Sequence, residues 1–217
     1  MTRSEILDRF RTENPEITDR VITDSQLHSF ALIGDKEICA ITRCIVDQDG
    51  TTISTTEDDQ YYDLTAYITN FYDIDEYPGG GVTYDDKRIE KTTIAALDED
   101  YPTWRNRSSG TPRKYYRRGQ WMYLDRPIDS DAEDIKVYSV LISDDFDQDS
   151  ITPYNQLTYL EPFHYGIVKY LQFKSKEKIG KRDDALKARQ EYMEYTQWMK
   201  KMITGGKISA IRFEPKI

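Results

Sequence analysis

The feature that most constrains the fold is a change in the spacing of apolar residues along the chain. In residues 23–46 they recur every three or four positions, the period of an α-helix. In residues 51–142 they recur every second position, among β-branched and aromatic residues, which indicates strands. Helical spacing returns after residue 161. The sequence therefore predicts an α+β protein, with a helical bundle formed by both ends of the chain and an inserted antiparallel β-module.

Two capping boxes predict where the first helices begin. TRSE at residues 2–5 opens a helix that stops at Asn14-Pro15, and TDSQ at residues 23–26 opens a longer helix expected to end near Val46. The apolar stripe of the longer helix consists of Leu27, Phe30, Gly34, Ile38, Ile41 and Ile45.

The only two cysteines, Cys39 and Cys44, fall inside this predicted second helix. Five residues of helix separate their Cα atoms by about 7.5 Å along the axis, which is too far for a disulfide. We therefore expect both to be buried free thiols.

Two further helices are predicted near the C-terminus. Pro162 suits the first position of a helix that runs to Gly180, and Asp183 or Asp184 would cap the last helix, which Gly205-Gly206 ends. One face of the helix that starts at Pro162 comprises Phe163, Ile167, Tyr170, Leu171 and Lys174. The last helix carries Leu186, Arg189, Met193, Thr196, Met199 and Ile203.

Within the β-module, residues 113–124 predict a β-hairpin. Gly119 occupies the turn, Trp121 and Tyr123 point to one face, and Met122 and Leu124 point to the other. Further strands are predicted in the segments YYDLTAYITNFYDI, GGGVTYDDKRIEKTTIAAL and EDIKVYSVLI.

These patterns divide the chain into four parts. Residues 1–46 form the N-terminal helices, 47–151 the inserted β-module, 152–203 the C-terminal helices and 204–217 a C-terminal arm. The arm alternates like a strand, so it either frays or pairs with a neighbouring molecule.

The charge is distributed unevenly along a chain of formal net charge −9. Residues 102–127 carry seven Lys/Arg and one Asp. On either side the charge is acidic: residues 47–101 carry 15 Asp/Glu and three Lys/Arg, and residues 128–151 carry eight Asp/Glu and one Lys. A protein that grips DNA needs several cations on phosphates without a repulsive field nearby. We therefore interpret the basic hairpin as a contact with an Asp-rich face of the next subunit. The alternative is that both charges are met within one chain.

No pattern predicts an enzyme, a cofactor or a metal site. EYPGGGVTY lacks the phosphate-binding pattern and is interpreted as a loop, and DDFDQD lacks the glycine and glutamate of a calcium loop. His28 and His164 have no catalytic neighbours and are expected to pack or to face solvent. No run approaches the ~20 apolar residues of a membrane span, and we expect a soluble protein that stays in the compartment that makes it.

The segment GTPRKYYRRGQWMYLDRPIDSD with IKVYSVLI, and the later YLEPFHYGIVKYLQFKSKEKIGKRDDALKARQEY, resemble tailed-phage head-to-tail connector proteins, also called adaptor or neck proteins. In element order the likeness covers residues 23–203.

The resemblance implies a non-enzymatic virion protein, made in the host cytoplasm and placed in the neck. It would form a ring, commonly of twelve copies, that docks on the portal, contacts a tail or second neck protein, and lets double-stranded DNA pass without specific binding. The portal-binding arm would comprise Lys207, Ile208, Ile211, Arg212 and Phe213, and the subunit-contact hairpin would comprise Arg113, Tyr115, Arg117, Arg118, Trp121 and Tyr123.

Two other functions remain open. A tail or baseplate module that binds a receptor or a tail partner would expose aromatic side chains on its sheet. A single-stranded nucleic-acid binder would stack bases on Tyr115, Tyr116, Trp121 and Tyr123.

Overall fold

The computed structural model describes residues 1–76, 80–129, 134–144, 146, 161–204 and 211–212. The chain divides into two compact units. The helical unit comprises Met1–Ile45 and Ile142–Ile211, and the sheet unit comprises Val46–Leu141 and Arg212–Ile217. The predicted α+β class is confirmed.

Among the described residues there are six α-helices, of which four belong to the helical unit and two short ones to the sheet unit. They are α1 (Arg3–Glu13), α2 (Asp24–Thr42), α3 (Leu64–Tyr67), α4 (Ile94–Asp100), α5 (Glu161–Lys178) and α6 (Arg182–Thr204).

Both predicted capping boxes are confirmed. Thr2 accepts from the backbone of Glu5, and Thr23 accepts from the backbone of Gln26, while each glutamate or glutamine side chain reaches back to the cap residue. Asn14 ends α1 as expected. These reciprocal bonds satisfy backbone N–H groups that the first helical turn leaves without partners.

The predicted end of α2 near Val46 is wrong. The helix stops at Thr42 because Arg43 adopts a left-handed conformation, with φ at 56°. Cys44 therefore lies outside the helix and folds back, with its Sγ atom 3.8 Å from that of Cys39. Both thiols are free and buried, as expected, and burial raises the pKa of Cys39.

The helical unit is held together by close packing between α2, α5 and α6. The backbone of α2 approaches α5 at Gly34, where an added Cβ would lie 2.5 Å from Cδ1 of Tyr170. The Tyr170 ring in turn packs edge-on against Tyr192 of α6 at 5.2 Å. Only a glycine permits this approach, which explains its place in the predicted apolar stripe.

Helix α6 differs from its prediction in start and in buried face. It begins at Arg182, so that Asp183 and Asp184 lie in its first turn and do not precede it as caps. In the same way, α5 begins one residue earlier than predicted, and Pro162 is its second residue. Leu186 and Met193 are 58% and 41% exposed. The buried face consists of Ala185, Ala188, Tyr192, Thr196 and Met199, so that Thr196 and Met199 lie on it as predicted, whereas the three positions before them are shifted by one residue.

The sheet unit contains a seven-stranded sheet in the order β2-β9-β5-β6-β7-β8-β3. Its strands are β2 (Thr51–Ser54), β3 (Tyr61–Asp63), β5 (Val82–Tyr84), β6 (Lys87–Lys91), β7 (Lys114–Arg118), β8 (Trp121–Leu124) and β9 (Asp134–Val137). A four-stranded sheet has the order β11-β1-β10-β4. Its strands are β1 (Ile45–Val46), β4 (Phe71–Ile74), β10 (Ser139–Leu141) and β11 (Ile211–Arg212).

Three predictions about the strands need correction. The segment GGGVTYDDKRIEKTTIAAL ends in a helix, since residues 94–97 belong to α4. The segment YYDLTAYITNFYDI is interrupted by α3, since Asp63 caps a short helix through the backbone of Thr65. In addition, β6 and β7 pair in parallel, so the sheet is not purely antiparallel. A parallel neighbour requires a crossover connection, and α4 forms part of it.

Candidate functional site

The predicted hairpin is confirmed as β7 and β8. The strands pair antiparallel with Arg118 opposite Trp121, and Gly119 takes a positive φ of 61° in the turn. Met122 and Leu124 are fully buried while Trp121 is 36% exposed, in agreement with the predicted faces. The alternation of β8 thus places Met122 and Leu124 in the protein and leaves Trp121 at its surface.

The cations of the hairpin find partners within the chain. Lys114 Nζ lies 2.8 Å from Oδ2 of Asp100, which ends α4. Arg117 donates to the backbone carbonyl of Tyr72 at 2.8 Å and lies 3.4 Å from Oδ1 of Asp73. For these two residues the structure agrees with the alternative in which the basic side chains pair with acids of the same chain.

A buried carboxylate fixes the base of the hairpin. Asp125 is 1% exposed and accepts hydrogen bonds from the backbone N–H groups of Arg113 and Lys114 at 2.8 and 3.1 Å. Arg107 donates to its second oxygen at 3.0 Å. Asp125 is the one acid of the basic segment, and it organises the strand that carries the cations.

Aromatic rings form a continuous row across the β3–β8–β7 edge of the sheet. Trp104 meets Tyr116 edge-on at 5.6 Å, and Tyr116 stacks on Tyr123 at 4.7 Å with the planes 9° apart. Tyr61 then lies 6.3 Å from Tyr123 and 5.9 Å from Trp121. The row runs from a buried end at Trp104 to an exposed end at Tyr61, which is 60% exposed.

The residues predicted for the subunit-contact hairpin do not all reach the surface. Arg113, Arg118 and Trp121 are exposed, and Arg117 and Tyr123 are half-buried. Tyr115 is 1% exposed, and burial raises its pKa to about 12.

This placement removes half of the predicted base-stacking platform. Tyr115 is buried and Tyr116 is 7% exposed, with one face of its ring covered by Tyr123. A base must reach a free ring face to stack on it.

Most of the predicted portal-binding arm lies outside the described residues. Only Ile211 and Arg212 are described, and as strand β11 they pair with β1 of the same chain at the edge of the four-stranded sheet. For these two residues, this corrects the expectation that the arm would either fray or pair with a neighbouring molecule. Lys207, Ile208 and Phe213 are not among the residues that the structure describes.

A second basic surface, which the sequence analysis did not single out, lies where α5 turns into α6. We call it the α5–α6 tip and define it as residues 173–189. Phe173, Gly180, Ala185 and Leu186 line an open cleft of about 410 Å³ there, together with Glu177, Arg182 and Arg189. The tip carries seven Lys/Arg and three Asp/Glu, a net charge of +4 that can be counted from the sequence.

The remaining candidate motifs give no catalytic or metal arrangement in the described part of the chain. No cluster of three His, Cys, Asp or Glu residues suited to a metal occurs there. Residues 77–79 of the glycine-rich loop, and residue 145 with 147–150 of the acidic loop, are outside the described residues. His164 is fully buried, and its Nδ1 atom lies 2.7 Å from the amino-terminal nitrogen. His28 is a separate case, in which partial burial of its own ring lowers the pKa.

No helix among the described residues is both long enough and apolar enough to span a membrane. Comparison with protein families gives one match over almost the entire length. The model of the family described as SU10 adaptor protein matches residues 1–210. A search of curated proteins found no match.

Proposed function

Since the chain belongs to the SU10 adaptor protein family, we propose that it forms the ring that joins the portal of a tailed phage to the tail. The family indicates a structural component of a phage virion that contacts other head or tail proteins. The match over residues 1–210 is the observation that carries the proposal, because it includes both the helical and the sheet unit.

In the proposed ring, neighbouring copies meet through different surfaces, and the contacts repeat until the circle closes. The ring would extend the DNA channel of the portal, with twelve copies as the expected number. The net charge of −9 supports this role, because a negative lumen repels DNA phosphates and keeps the genome from adhering as it passes.

The segment proposed to reach the portal is the C-terminal arm, residues 204–217. Its apolar residues Ile208, Ile211 and Phe213 alternate with polar residues only approximately, and they would contact the portal. Such a short segment can supply specific affinity because a few apolar anchors dominate most interfaces.

Co-sedimentation with the portal ring encoded by the same genome tests the proposal. The full chain and the portal are mixed at micromolar concentration near physiological salt, and we expect a discrete heavier complex. Deletion of residues 205–217 should abolish the complex, and substitution of Ile208, Ile211 and Phe213 by alanine should weaken it strongly. Lys216→Ala, in the same arm, serves as the matched control and should bind normally.

Absence of a complex with an intact, closed portal would count against the connector function. A second candidate would then lead, namely a tail or baseplate module that binds through its sheet. The observation in its favour is a set of exposed aromatic residues in the sheet unit. They are Tyr61, Tyr67, Tyr72 and Trp121, with 60%, 47%, 40% and 36% exposed.

A further inference from the structure

We propose that the α5–α6 tip is the docking site for the acidic sheet unit of a second copy of this chain. The inference rests on the proposed ring, since it names a surface through which neighbouring copies meet. It assigns the basic side of that contact to helices, whereas the sequence pointed to the hairpin.

The tip presents an apolar floor that the chain leaves open. Leu186 is 58% exposed, and Phe173 is half-buried beside it in the cleft of about 410 Å³. Because moving apolar surface out of water is favourable, a cleft of this kind gains by receiving an apolar group from a partner.

The cations around this floor are largely unused by the chain itself. Lys181 and Arg182 are exposed and make no ion pair within the part of the chain that the structure describes. Arg189 lies over the ring of Phe173, with its guanidinium carbon 5.9 Å from the centroid. The acid of the cleft, Glu177, is already held by Lys174 Nζ at 2.8 Å.

The sheet unit has the complementary chemistry. Val46–Leu141 contain 20 Asp/Glu and 11 Lys/Arg, which gives a net charge of −9, and the unit also exposes apolar side chains such as Ile94 (40%). Its cations are paired in many places, whereas several exposed acids make no ion pair among the described residues. They are Asp49, Asp59, Asp86, Glu90 and Glu99.

A basic apolar cleft on one unit and an acidic surface on the other make a contact between unlike surfaces. A contact of this type leaves the acidic surface of one copy and the tip of the other unused, so such contacts continue from copy to copy and can close a ring. Charge complementarity also sets the orientation and speeds the encounter. A second copy of the chain is therefore the occupant that the tip fits.

Carbodiimide cross-linking between isotopically light and heavy copies tests the inference directly, because it joins a lysine to a carboxylate in contact with it. The full chain is used both free and bound to the portal ring. We expect light–heavy cross-links from Lys178, Lys181 or Lys187 to carboxylates of residues 47–101. Arg182→Glu with Arg189→Glu should weaken association between copies by about tenfold or more.

Two matched controls separate this effect from general changes. Lys200→Glu with Lys201→Glu makes the same charge change at the other end of α6, where both residues are exposed, and should leave association unchanged. Leu186→Ser should weaken association, whereas Met193→Ser, at a residue 41% exposed on the same helix, should not.

The outcomes distinguish the two proposals. A normal portal complex without light–heavy cross-links from the tip, or equal effects of the tip and control variants, would overturn the inference and leave the connector function standing. Cross-links from the tip to the portal would also overturn it. Light–heavy cross-links without any portal complex would support the contact and count against the connector function.

Discussion

The hairpin of β7 and β8 and the α5–α6 tip are both basic segments with aromatic or apolar side chains between the cations. In the hairpin, Lys114 and Arg117 are paired with Asp100 and Asp73 of the same unit. At the tip, Lys181 and Arg182 are exposed and make no ion pair among the described residues. The more conspicuous basic segment of the sequence thus has fewer cations available to a partner.

The difference shows that the count of charges in a segment does not determine how many are available for binding. Asp100 and Asp73 lie 14 and 44 residues before the cations they meet, and the parallel pairing of β6 with β7 belongs to the same long-range arrangement. At the tip, by contrast, the nearest acids are neighbours in sequence, and helical geometry directs many of the cations away from them.

The strongest test of the comparison removes the internal anchor of the hairpin. Asp125→Ala leaves two backbone N–H groups and Arg107 without their buried acceptor, so we expect the free energy of unfolding to fall by about 3 kcal/mol. Urea unfolding measures the loss, and hydrogen exchange should place it in β7 and β8. Glu99→Ala, at an exposed acid of the same unit that makes no ion pair among the described residues, should change stability little. Equal effects of the two substitutions would mean that the hairpin is not held from within.

Packing in the helices that carry the tip can be tested with Gly34→Ala. The new methyl group would lie 2.5 and 2.7 Å from Cδ1 and Cγ of Tyr170, and the ring cannot move away because Tyr192 packs against it. Overpacking costs about 1–3 kcal/mol, while replacing a helical glycine regains about 0.5–1 kcal/mol. We expect a net loss of about 1 kcal/mol in urea unfolding. Ser29→Ala, exposed on the same helix, is the control, and a stabilised Gly34 variant would disprove the close approach.

The parts of the fold that the sequence predicted correctly depend on local signals. The capping boxes at Thr2 and Thr23 and the alternation in β8 each depend on residues within a few positions. The errors have another origin. The left-handed Arg43 and the buried positions in the first half of α6 are decided by tertiary contacts, which override weak local preferences. The interruption by α3 follows instead from a local cap, Asp63, within a segment of strand-forming residues.

The candidate sites were less predictable than the fold. The hairpin was found because its composition contrasts with its surroundings, but the burial of Tyr115 depends on which face of β7 the protein covers. The tip was overlooked because its apolar floor joins Phe173 of α5 with Leu186 of α6, which only the turn between the helices brings together.

Within the hairpin, Arg117 and Arg118 form a matched pair for a smaller test. Arg117 is bonded to Tyr72 and Asp73, whereas Arg118 is exposed, so Arg117→Ala should lower the free energy of unfolding by about 1 kcal/mol and Arg118→Ala by less. Urea midpoints at pH 7 provide the measurement. If Arg118→Ala instead impairs ring assembly without affecting stability, the exposed part of the hairpin contributes to a subunit contact alongside the tip.

The smallest expected effect concerns an ion pair between the same two helices that carry the tip. Lys169 Nζ donates to Glu191 Oε2 at 2.9 Å, and this bond lowers the pKa of Glu191. For Lys169 burial acts to lower the pKa, but the bond to Glu191 contributes to a net rise. A carboxylate with a lowered pKa stabilises the folded state above its unfolded pKa, and this contribution is lost as the pH falls through the folded value.

Glu191→Gln should therefore lower stability at pH 7 and have a smaller effect at pH 3, because the contribution of the carboxylate declines as the pH falls below its unfolded pKa and through its lowered folded pKa. The side chain of Glu191 is 43% exposed, so solvent screening keeps the difference at pH 7 below about 0.5 kcal/mol. Urea midpoints at the two pH values measure it, with Glu194→Gln as a control on the same helix. A difference that persists undiminished at pH 3 would show that Glu191 acts through packing. In that case the Lys169–Glu191 ion pair would contribute no electrostatic stabilisation. It would then not be an example of a paired cation to set against Lys181 and Arg182 of the tip.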